Sequence, residues 1–165
     1  MRLKPVALSL MLTSLSLPAW AAVEVTYTNP EGYADVKVGA GPVRKQREMV
    51  LRELKKHLEK LGAESLPAGD TLKIEVLDIN LAGRDQPFNT GNPDQRLLDE
   101  VNWPSIRLRY VLERGGQAVA QAEEQVSDKD YLDHSALGGR SDPLRYEKKM
   151  LSEWFRDRFG AAAAR

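Results

Sequence analysis

Cysteine is absent from the 165 residues of this chain, and histidine occurs only twice. Without cysteine the protein has no disulfide bond, no thiol chemistry and no zinc site of the cysteine type. Two histidines do not make a tight transition-metal site unless carboxylates join them from distant segments. We therefore expect neither a metal nor a cofactor, and stability must come from the packing of a hydrophobic core.

The chain also lacks an excess of charge of either sign. Its 24 Lys and Arg residues balance 24 Asp and Glu residues. Once the first 21 residues are set aside, 22 basic residues face 24 acidic ones, which is a net charge of −2. Because binding to a phosphate backbone requires a basic surface, we expect no nucleic-acid partner.

No apolar run reaches the roughly 20 residues that a membrane-spanning helix needs. The longest run covers residues 6–17, follows two positive charges and precedes the tripeptide Ala-Trp-Ala. This is the layout of a secretory signal peptide at residues 1–21, with cleavage after Ala21. The pattern predicts export to the periplasm, or alternatively full secretion. We expect no membrane span after cleavage and, without cysteine, no lipid anchor at the cleavage site.

The remaining chain suits one domain at residues 22–160, followed by a flexible alanine-rich tail at 161–165. Hydrophobic periodicity divides this domain into strands and helices. The predicted elements are a strand at 23–28, a possible short edge strand at 35–38, a helix at 43–61, a strand at 71–81, a hairpin at 105–127 and a second helix from 143 to 159.

This order of elements predicts an α+β fold. We expect a two-layer sandwich in which two helices pack on one face of a mainly antiparallel sheet of four to five strands. The first strand–helix–strand unit would alternatively add a parallel pair to that sheet.

Residue types near the element ends refine this expectation. Pro42 suits the first turn of the first helix and Gly62 its C-terminal cap, while Asp142 is the expected N-cap of the second helix. In the predicted strand at 71–81 the alternation of apolar and polar residues shifts by one position between Val76 and Leu77. This shift predicts a β-bulge, or a central strand that is buried on both faces.

The register of the hairpin is also predictable. A three-residue loop at 115–117 pairs Leu112 with Ala120 and places Arg109 opposite Glu123, whereas a two-residue loop at Gly115-Gly116 pairs polar with apolar residues. We expect the first register, because a slip of one residue moves every side chain to the other face. The alanines of the second strand would let a helix approach closely.

Residues 82–104 form a long connection for a compact domain, and long structured loops commonly carry function. One helical turn at 95–101 would shorten this connection. Trp103 precedes Pro104, so it is extended, and it serves either as a plug at the end of the core or as an exposed binding aromatic. The candidate binding residues here and in the acidic turn that follows the hairpin are Asp85, Phe88, Asn89, Asn92, Trp103, Asp128, Asp130 and His134.

Recognised catalytic and ligand motifs are missing. The acidic turn at 128–139 has Leu132 at the fifth position and Asp133 at the sixth, so it does not match a calcium loop. The chain has no nucleophile elbow, phosphate loop or dinucleotide fingerprint. His57 lies among basic residues without a partner at zinc-type spacing, so we expect it on the surface.

Several stretches together resemble a known family. They are VEVTY at 23–27, YADV at 33–36, LDINLAG at 77–83, NWPSIRL at 102–108 and DKDYL at 128–132. The chain resembles a proteobacterial family of exported proteins described only as a domain of unknown function (family 3016). The resemblance covers essentially the whole chain after the leader. It implies a small exported single-domain protein and supplies no activity, substrate or catalytic residue.

These observations favour a periplasmic protein without enzymatic activity, acting as a binding or accessory module of the cell envelope. Its partner would be an envelope protein or a small ligand, bound through residues 82–104 and the nearby sheet face. The alternative is a hydrolase or metal-dependent enzyme that uses scattered carboxylates together with His134.

Overall fold

A computed structural model describes residues 21–39, 41–85, 96–134 and 142–160. The strands and helices are β1 (Ala22–Tyr27), α1 (Val43–Ser65), β2 (Asp70–Asn80), β3 (Ser105–Arg114), β4 (Gln117–Ser127) and α2 (Arg145–Phe159). Two short 3₁₀ helices cover Pro30–Gly32 and Tyr131–His134. None of the helices in this described part combines the length and apolar character that a bilayer crossing requires.

The four strands form one sheet in the order β1-β2-β3-β4. β1 and β2 pair with each other in parallel, and α1 connects them in the chain. The other two pairs of strands are antiparallel. The predicted α+β class is therefore confirmed, with a mixed sheet and the parallel pair that the first strand–helix–strand unit allows.

Both helices cover the same face of the sheet, where they enclose one hydrophobic core. Leu54 of α1 and Phe155 of α2 are fully buried, as are Leu72 of β2 and Leu108 of β3. Alternate residues of the central strands point to the other face, which carries charged side chains and faces solvent. The sheet therefore presents an outer face that the helices leave free.

Gly62 has a different role from the predicted cap. α1 continues through it to Ser65 and ends at Leu66, which is extended because Pro67 follows. Gly62 lies against Val23 of β1, and a β-carbon at this glycine would come within 2.0 Å of Val23 Cγ2. Its lack of a side chain thus allows the helix to approach the edge strand.

Two smaller predictions are wrong. Residues 35–38 form no strand, because only Asp35 pairs with the sheet, through a single parallel bridge to Asn80. Residues 96–101 form no helical turn, because Leu97 makes an antiparallel bridge with Arg84 instead. In both places the backbone groups of a short segment form hydrogen bonds with another segment of the chain, and not with residues of the same segment.

The predicted register of the hairpin is confirmed. Leu112 pairs with Ala120, and Arg109 pairs with Glu123. The turn itself is the tight one at Gly115-Gly116, because Arg114 pairs with Gln117 and a register shift follows. The shift leaves Val119 as an extra residue, so a β-bulge reconciles the short turn with the register that matches apolar residues.

Helix α2 packs against only part of β4. Ala118 and Ala120 stay exposed, so the expected close approach of a helix does not occur there. Further along the strand, Glu124 lies opposite Leu108 and is held by α2, since Trp154 Nε1 donates to its carboxylate at 2.9 Å and Arg158 pairs with it at 3.1 Å. Helix α2 begins two residues later than predicted, and its N-cap is Leu144 without a side-chain cap hydrogen bond, so the prediction of Asp142 as the N-cap is wrong. Asp142 instead accepts the N–H of Leu144 at 2.9 Å in the turn before the helix.

Candidate functional site

The candidate site lies at the end of the sheet where β2 leaves it and β3 enters. Asn80 and Ser105 pair there, and the segment at 82–104 connects them. Asn80 Nδ2 also donates to the carbonyl of Trp103 at 3.3 Å, so the segment returns beside the point where it departed. Side chains of β2, β3 and the chain after β1 meet on the outer face at this end.

A β-bulge determines which side chains meet. Val76 pairs with Leu108, but the next pair is Asp78 with Arg107, so Leu77 is the extra residue. Without the extra residue, Leu77 would lie opposite Arg107, and Asp78 would point toward the core with Ile106. The bulge therefore moves Asp78 to the solvent face and returns Ile79 to the core, where it is fully buried.

The bulge opens into a depression of about 360 Å³, which we call the bulge pocket. Its polar lining consists of Thr28, Asn29, Asp78 and Arg107. Its apolar lining consists of Gly32, Tyr33, Ala34 and Leu77.

The backbone around the pocket is held by specific contacts. Ala34 N–H donates to Asp78 Oδ1 at 2.8 Å, and the hydroxyl of the buried Tyr33 donates to the carbonyl of Val76 at 2.8 Å. Asn29 adopts the left-handed conformation with φ of 51°, which asparagine tolerates better than most residues. A β-carbon at Gly32 would lie 2.8 Å from Asn29 Nδ2, so the glycine leaves room for this amide at the rim of the pocket.

The charges beside the pocket are ordered along the sheet. Arg109 bridges Glu75 at 2.8 Å and Glu123 at 2.9 Å, and Thr28 Oγ1 donates to Glu75 at 2.6 Å. The hydrogen bond from Thr28, together with Arg109, lowers the pKa of Glu75. Arg107 stands half-exposed and lies 3.7 Å from Glu123, a longer contact than that of Arg109. Arg109 is thus the principal partner of both glutamates.

Arg96 anchors the segment at 82–104. Only 10% of its side chain is exposed. The guanidinium donates to the carbonyls of Ala82 at 2.8 Å and Gly83 at 2.7 Å, and to Asp35 Oδ2 at 2.6 Å. It also reaches the carbonyl of Lys37. One planar group therefore ties the start of the segment to the chain that follows β1.

Glu147 of α2 holds the same segment from inside. Its Oε1 accepts the N–H of Ala82 at 2.7 Å, and the side chain is fully buried. Burial raises the pKa of Glu147, and the nearby charge of Arg96 opposes that rise only in part. Beside it, Tyr131 and Tyr146 meet edge to face at 5.0 Å. Within the described residues Glu147 Oε2 has no hydrogen-bond partner, so a negative charge on this carboxyl would be poorly compensated, which agrees with the raised pKa.

The predicted site residues fall into three groups. Phe88, Asn89 and Asn92 lie outside the described residues, as does the side chain of His134, whose backbone closes the second 3₁₀ helix. Asp85 lies 3.6 Å from Lys37.

Trp103 and the acidic turn, by contrast, lie side by side. Trp103 is half-buried, with Lys129 Nζ 5.3 Å from its ring centre, so it is neither a full plug nor a free aromatic surface. The N–H of Asp128 donates to the carbonyl of Pro104 at 3.2 Å, and Asp128 Oδ1 accepts the N–H of Asp130 at 3.1 Å. These contacts shape the turn, and none of the predicted residues whose side chains the structure describes lines the bulge pocket.

Sequence reasoning missed Asp78, Arg107, Arg96 and Glu147, although two signals were present. The slip in alternation marked the bulge, and a bulge at Leu77 places Asp78 on the outer face of the sheet. Glu147 falls on the apolar stripe of α2 between Leu144 and Leu151, where a carboxylate is unusual. Arg96 carried no such signal, because its contacts are with backbone carbonyls far away in sequence.

The described residues contain no group of three carboxylate or imidazole side chains that would hold a metal ion. His57 is not a free surface residue as expected. Its Nε2 lies 2.8 Å from the carbonyl of Lys148 and 2.9 Å from Ser152 Oγ, so it joins α1 to α2.

Comparison with known proteins identifies the family of this chain and gives no information about the site. A search of curated proteins and a search of solved structures each found no match to this chain. Residues 21–157 match the family described as "Protein of unknown function (DUF3016)". The match extends from the residue before β1 into the last turn of α2, and on this evidence the chain belongs to that family.

Proposed function

We propose that the protein is an exported module of the bacterial envelope that binds rather than catalyses, and that the bulge pocket is where it binds. The partner or ligand would rest on the outer sheet face at the end where the segment at 82–104 begins and returns.

The proposal of export rests on the first 21 residues. Two positive charges, an apolar run and small residues around Trp20 are typical of a leader that is removed during secretion. Cleavage after Ala21 would leave a chain that starts with β1, so it would keep all the helices and strands of the described residues.

The proposal of binding rests chiefly on the Asp78–Arg107 pair. These two residues lie directly opposite each other on the outer face, yet the carboxylate of Asp78 is held by Ala34 and the guanidinium of Arg107 leans toward Glu123. Among the described residues Asp78 has no ion-pair partner. A concave site with a few converging polar groups is the common form of a binding site.

The test uses a photo-crosslinking amino acid placed at position 34 of the full chain in living cells. Ala34 lines the pocket and is exposed, and its contact with Asp78 is made by the backbone, so the replacement leaves that bond intact. We expect the exported fraction to begin at residue 22 and to carry a light-dependent adduct, identified by intact mass and by gel mobility.

The matched control is the same replacement at Gln121, which is exposed on the outer face of β4 away from the pocket. An adduct at position 34 with none at position 121 supports the proposal. Equal adducts at both positions, or none at either, overturn it. Retention of the chain in the cytoplasm with its N-terminus intact overturns the proposal of export.

A further inference from the structure

The bulge pocket presents two opposite charges that do not neutralise each other. Asp78 and Arg107 are partners in the register, and both face solvent. Asp78 is turned toward the chain after β1, where it accepts the N–H of Ala34 at 2.8 Å. Arg107 is turned the other way, toward Glu123 of β4 at 3.7 Å. Both residues line the bulge pocket, so the depression presents a carboxylate and a guanidinium that are held by different neighbours.

This pairing of charges selects against ligands with a net charge. A simple anion near Arg107 would be repelled by Asp78, and a simple cation near Asp78 would be repelled by Arg107. The attraction and the repulsion are of similar size for such ligands, so neither is bound well. A molecule that carries both an ammonium group and a carboxylate is attracted at both ends.

Arg107 can turn to such a ligand without leaving a charge unpaired. Glu123 lies 2.9 Å from Arg109, which is closer than its 3.7 Å contact with Arg107. Arg109 also retains Glu75 at 2.8 Å. If Arg107 moved to a carboxylate in the pocket, Glu123 would keep its better partner.

The remaining lining indicates a small ligand that is not a sugar. A volume of about 360 Å³ is near the lower limit of ligand pockets. Among the described residues the one aromatic ring in the lining belongs to Tyr33, which is 8% exposed and bound through its hydroxyl to Val76, so it offers no flat face for a sugar ring. The amide of Asn29 and the side chain of Leu77 complete a mixed polar and apolar surface.

From this arrangement we infer that the bulge pocket binds a small zwitterion the size of an amino acid or a dipeptide, with its ammonium on Asp78 and its carboxylate on Arg107. The inference rests on the proposed function, since it names the ligand class of the same site.

The test is a titration of the ¹⁵N-labelled chain lacking residues 1–21, followed by the amide signals of Asn29, Gly32, Ala34 and Asp78. The probes are L-alanine and L-alanyl-L-alanine, which distinguish a free amino acid from a short peptide. Acetate and ethylammonium, at the same concentration and ionic strength, carry one of the two charges each. We expect saturable shifts with at least one zwitterion and binding at least about tenfold weaker with either single ion.

Three variants locate the binding. Asp78→Asn keeps an oxygen for the N–H of Ala34 and removes the charge, and Arg107→Gln removes the guanidinium. Each should weaken zwitterion binding by at least about tenfold, because a hydrogen bond between charged groups is lost. Lys73→Gln, which removes a cation from the outer face of β2 at the end away from the pocket, is the matched control and should change the affinity by no more than about twofold.

Acetate binding as tightly as L-alanine overturns the inference, as does unchanged binding by Arg107→Gln or the absence of saturable shifts with either zwitterion. The crosslinking experiment separates this failure from that of the proposed function. A macromolecular adduct confined to position 34, without zwitterion binding, refutes the ligand class and leaves the binding module standing. The lack of both results refutes both.

Discussion

The carboxyl oxygen Oε1 of Glu147 accepts the N–H of Ala82 at 2.7 Å, in a position where the carboxyl group is fully buried. The carbonyl of the same Ala82 accepts a hydrogen bond from Arg96 Nε at 2.8 Å. Ala82, the second residue after β2, is therefore held by α2 on one side and by the segment that it leads into on the other. Both contacts lie at the end of the sheet that carries the bulge pocket.

Glu147 should make the protein less stable as the pH rises. Burial raises the pKa of this carboxyl above its usual 4.5, so the folded chain keeps a proton that the unfolded chain has already lost. The stabilising contribution is complete below pH 4.5 and is lost as the pH rises toward the folded-state pKa. The slope approaches about 1.4 kcal/mol per pH unit inside that window.

Glu147→Gln is the variant that tests this, because its amide oxygen can still accept the N–H of Ala82 and its side chain does not ionise. Urea unfolding at pH 5, 6.5 and 8 should show the variant gaining stability relative to the native chain as the pH rises. A difference that stays constant across the three pH values would mean that Glu147 does not keep its proton in the folded state.

Arg96→Lys should loosen the segment at 82–104 while the core stays folded. A lysine has a single ammonium and does not reproduce the planar donors that reach Ala82, Gly83 and Asp35 together. The N–H of Arg84 donates to the carbonyl of Leu97 at 2.8 Å, and the N–H of Leu97 donates to the carbonyl of Arg84 at 2.9 Å. We expect both amides to exchange hydrogen at least about tenfold faster in the variant.

The control for this experiment is Arg109→Lys, since Arg109 makes its contacts on the outer sheet face. It should leave the exchange at both amides unchanged. Exchange that is equally fast in both variants would show that the segment opens independently of Arg96.

Gly62→Ala should destabilise the protein, although alanine in a helix is more favourable than glycine by about 1 kcal/mol. The added β-carbon would meet Val23 Cγ2 at 2.0 Å, and the stiff valine has little room to turn away. Overpacking of this kind costs about 1–3 kcal/mol, so we expect a net loss of about 1 kcal/mol in the free energy of unfolding.

A double-mutant cycle with Val23→Ala isolates the contact. The smaller side chain on β1 should make room for the new methyl group, so that Gly62→Ala becomes neutral or stabilising in that background. Stabilisation of the otherwise native chain by Gly62→Ala would contradict the close packing of α1 on β1.

The parts of the fold that the sequence predicts are those set by repeated patterns. The alternation in β3 and β4 was sufficient to place Leu112 opposite Ala120, because a slip would have exposed every apolar side chain of the hairpin. The bulge at Leu77 was visible for the same reason. Hydrophobic periodicity thus predicted both helices, the four strands of the described sheet and the register between two of them.

Other features depend on single contacts between distant residues. Gly62 has the residue type of a helix cap, and only the approach of Val23 shows that it serves packing instead. In the sequence Arg96 is indistinguishable from any surface arginine of a loop. It anchors the segment at 82–104 because the fold brings the carbonyls of Ala82 and Gly83 within reach of its guanidinium. The bulge alone does not predict the pocket, because Asn29, Gly32 and Ala34 in its lining come from the chain around the end of β1, far from Leu77 in sequence.

His57 should make the protein less stable as the pH falls. Burial, reinforced by the charges of Lys148 and Lys60, lowers the pKa of His57 below 6.5, so the imidazole is neutral between the helices. The unfolded chain takes up a proton first, and the stability that is complete above pH 6.5 is lost as the pH falls toward the folded-state pKa.

His57→Gln keeps a donor for the carbonyl of Lys148 and does not titrate. The urea midpoint of the native chain should therefore drop more steeply from pH 7 to pH 5 than that of the variant. Because the second histidine is present in both proteins, its titration cancels in the comparison, and parallel curves would show that His57 is charged between α1 and α2 without cost.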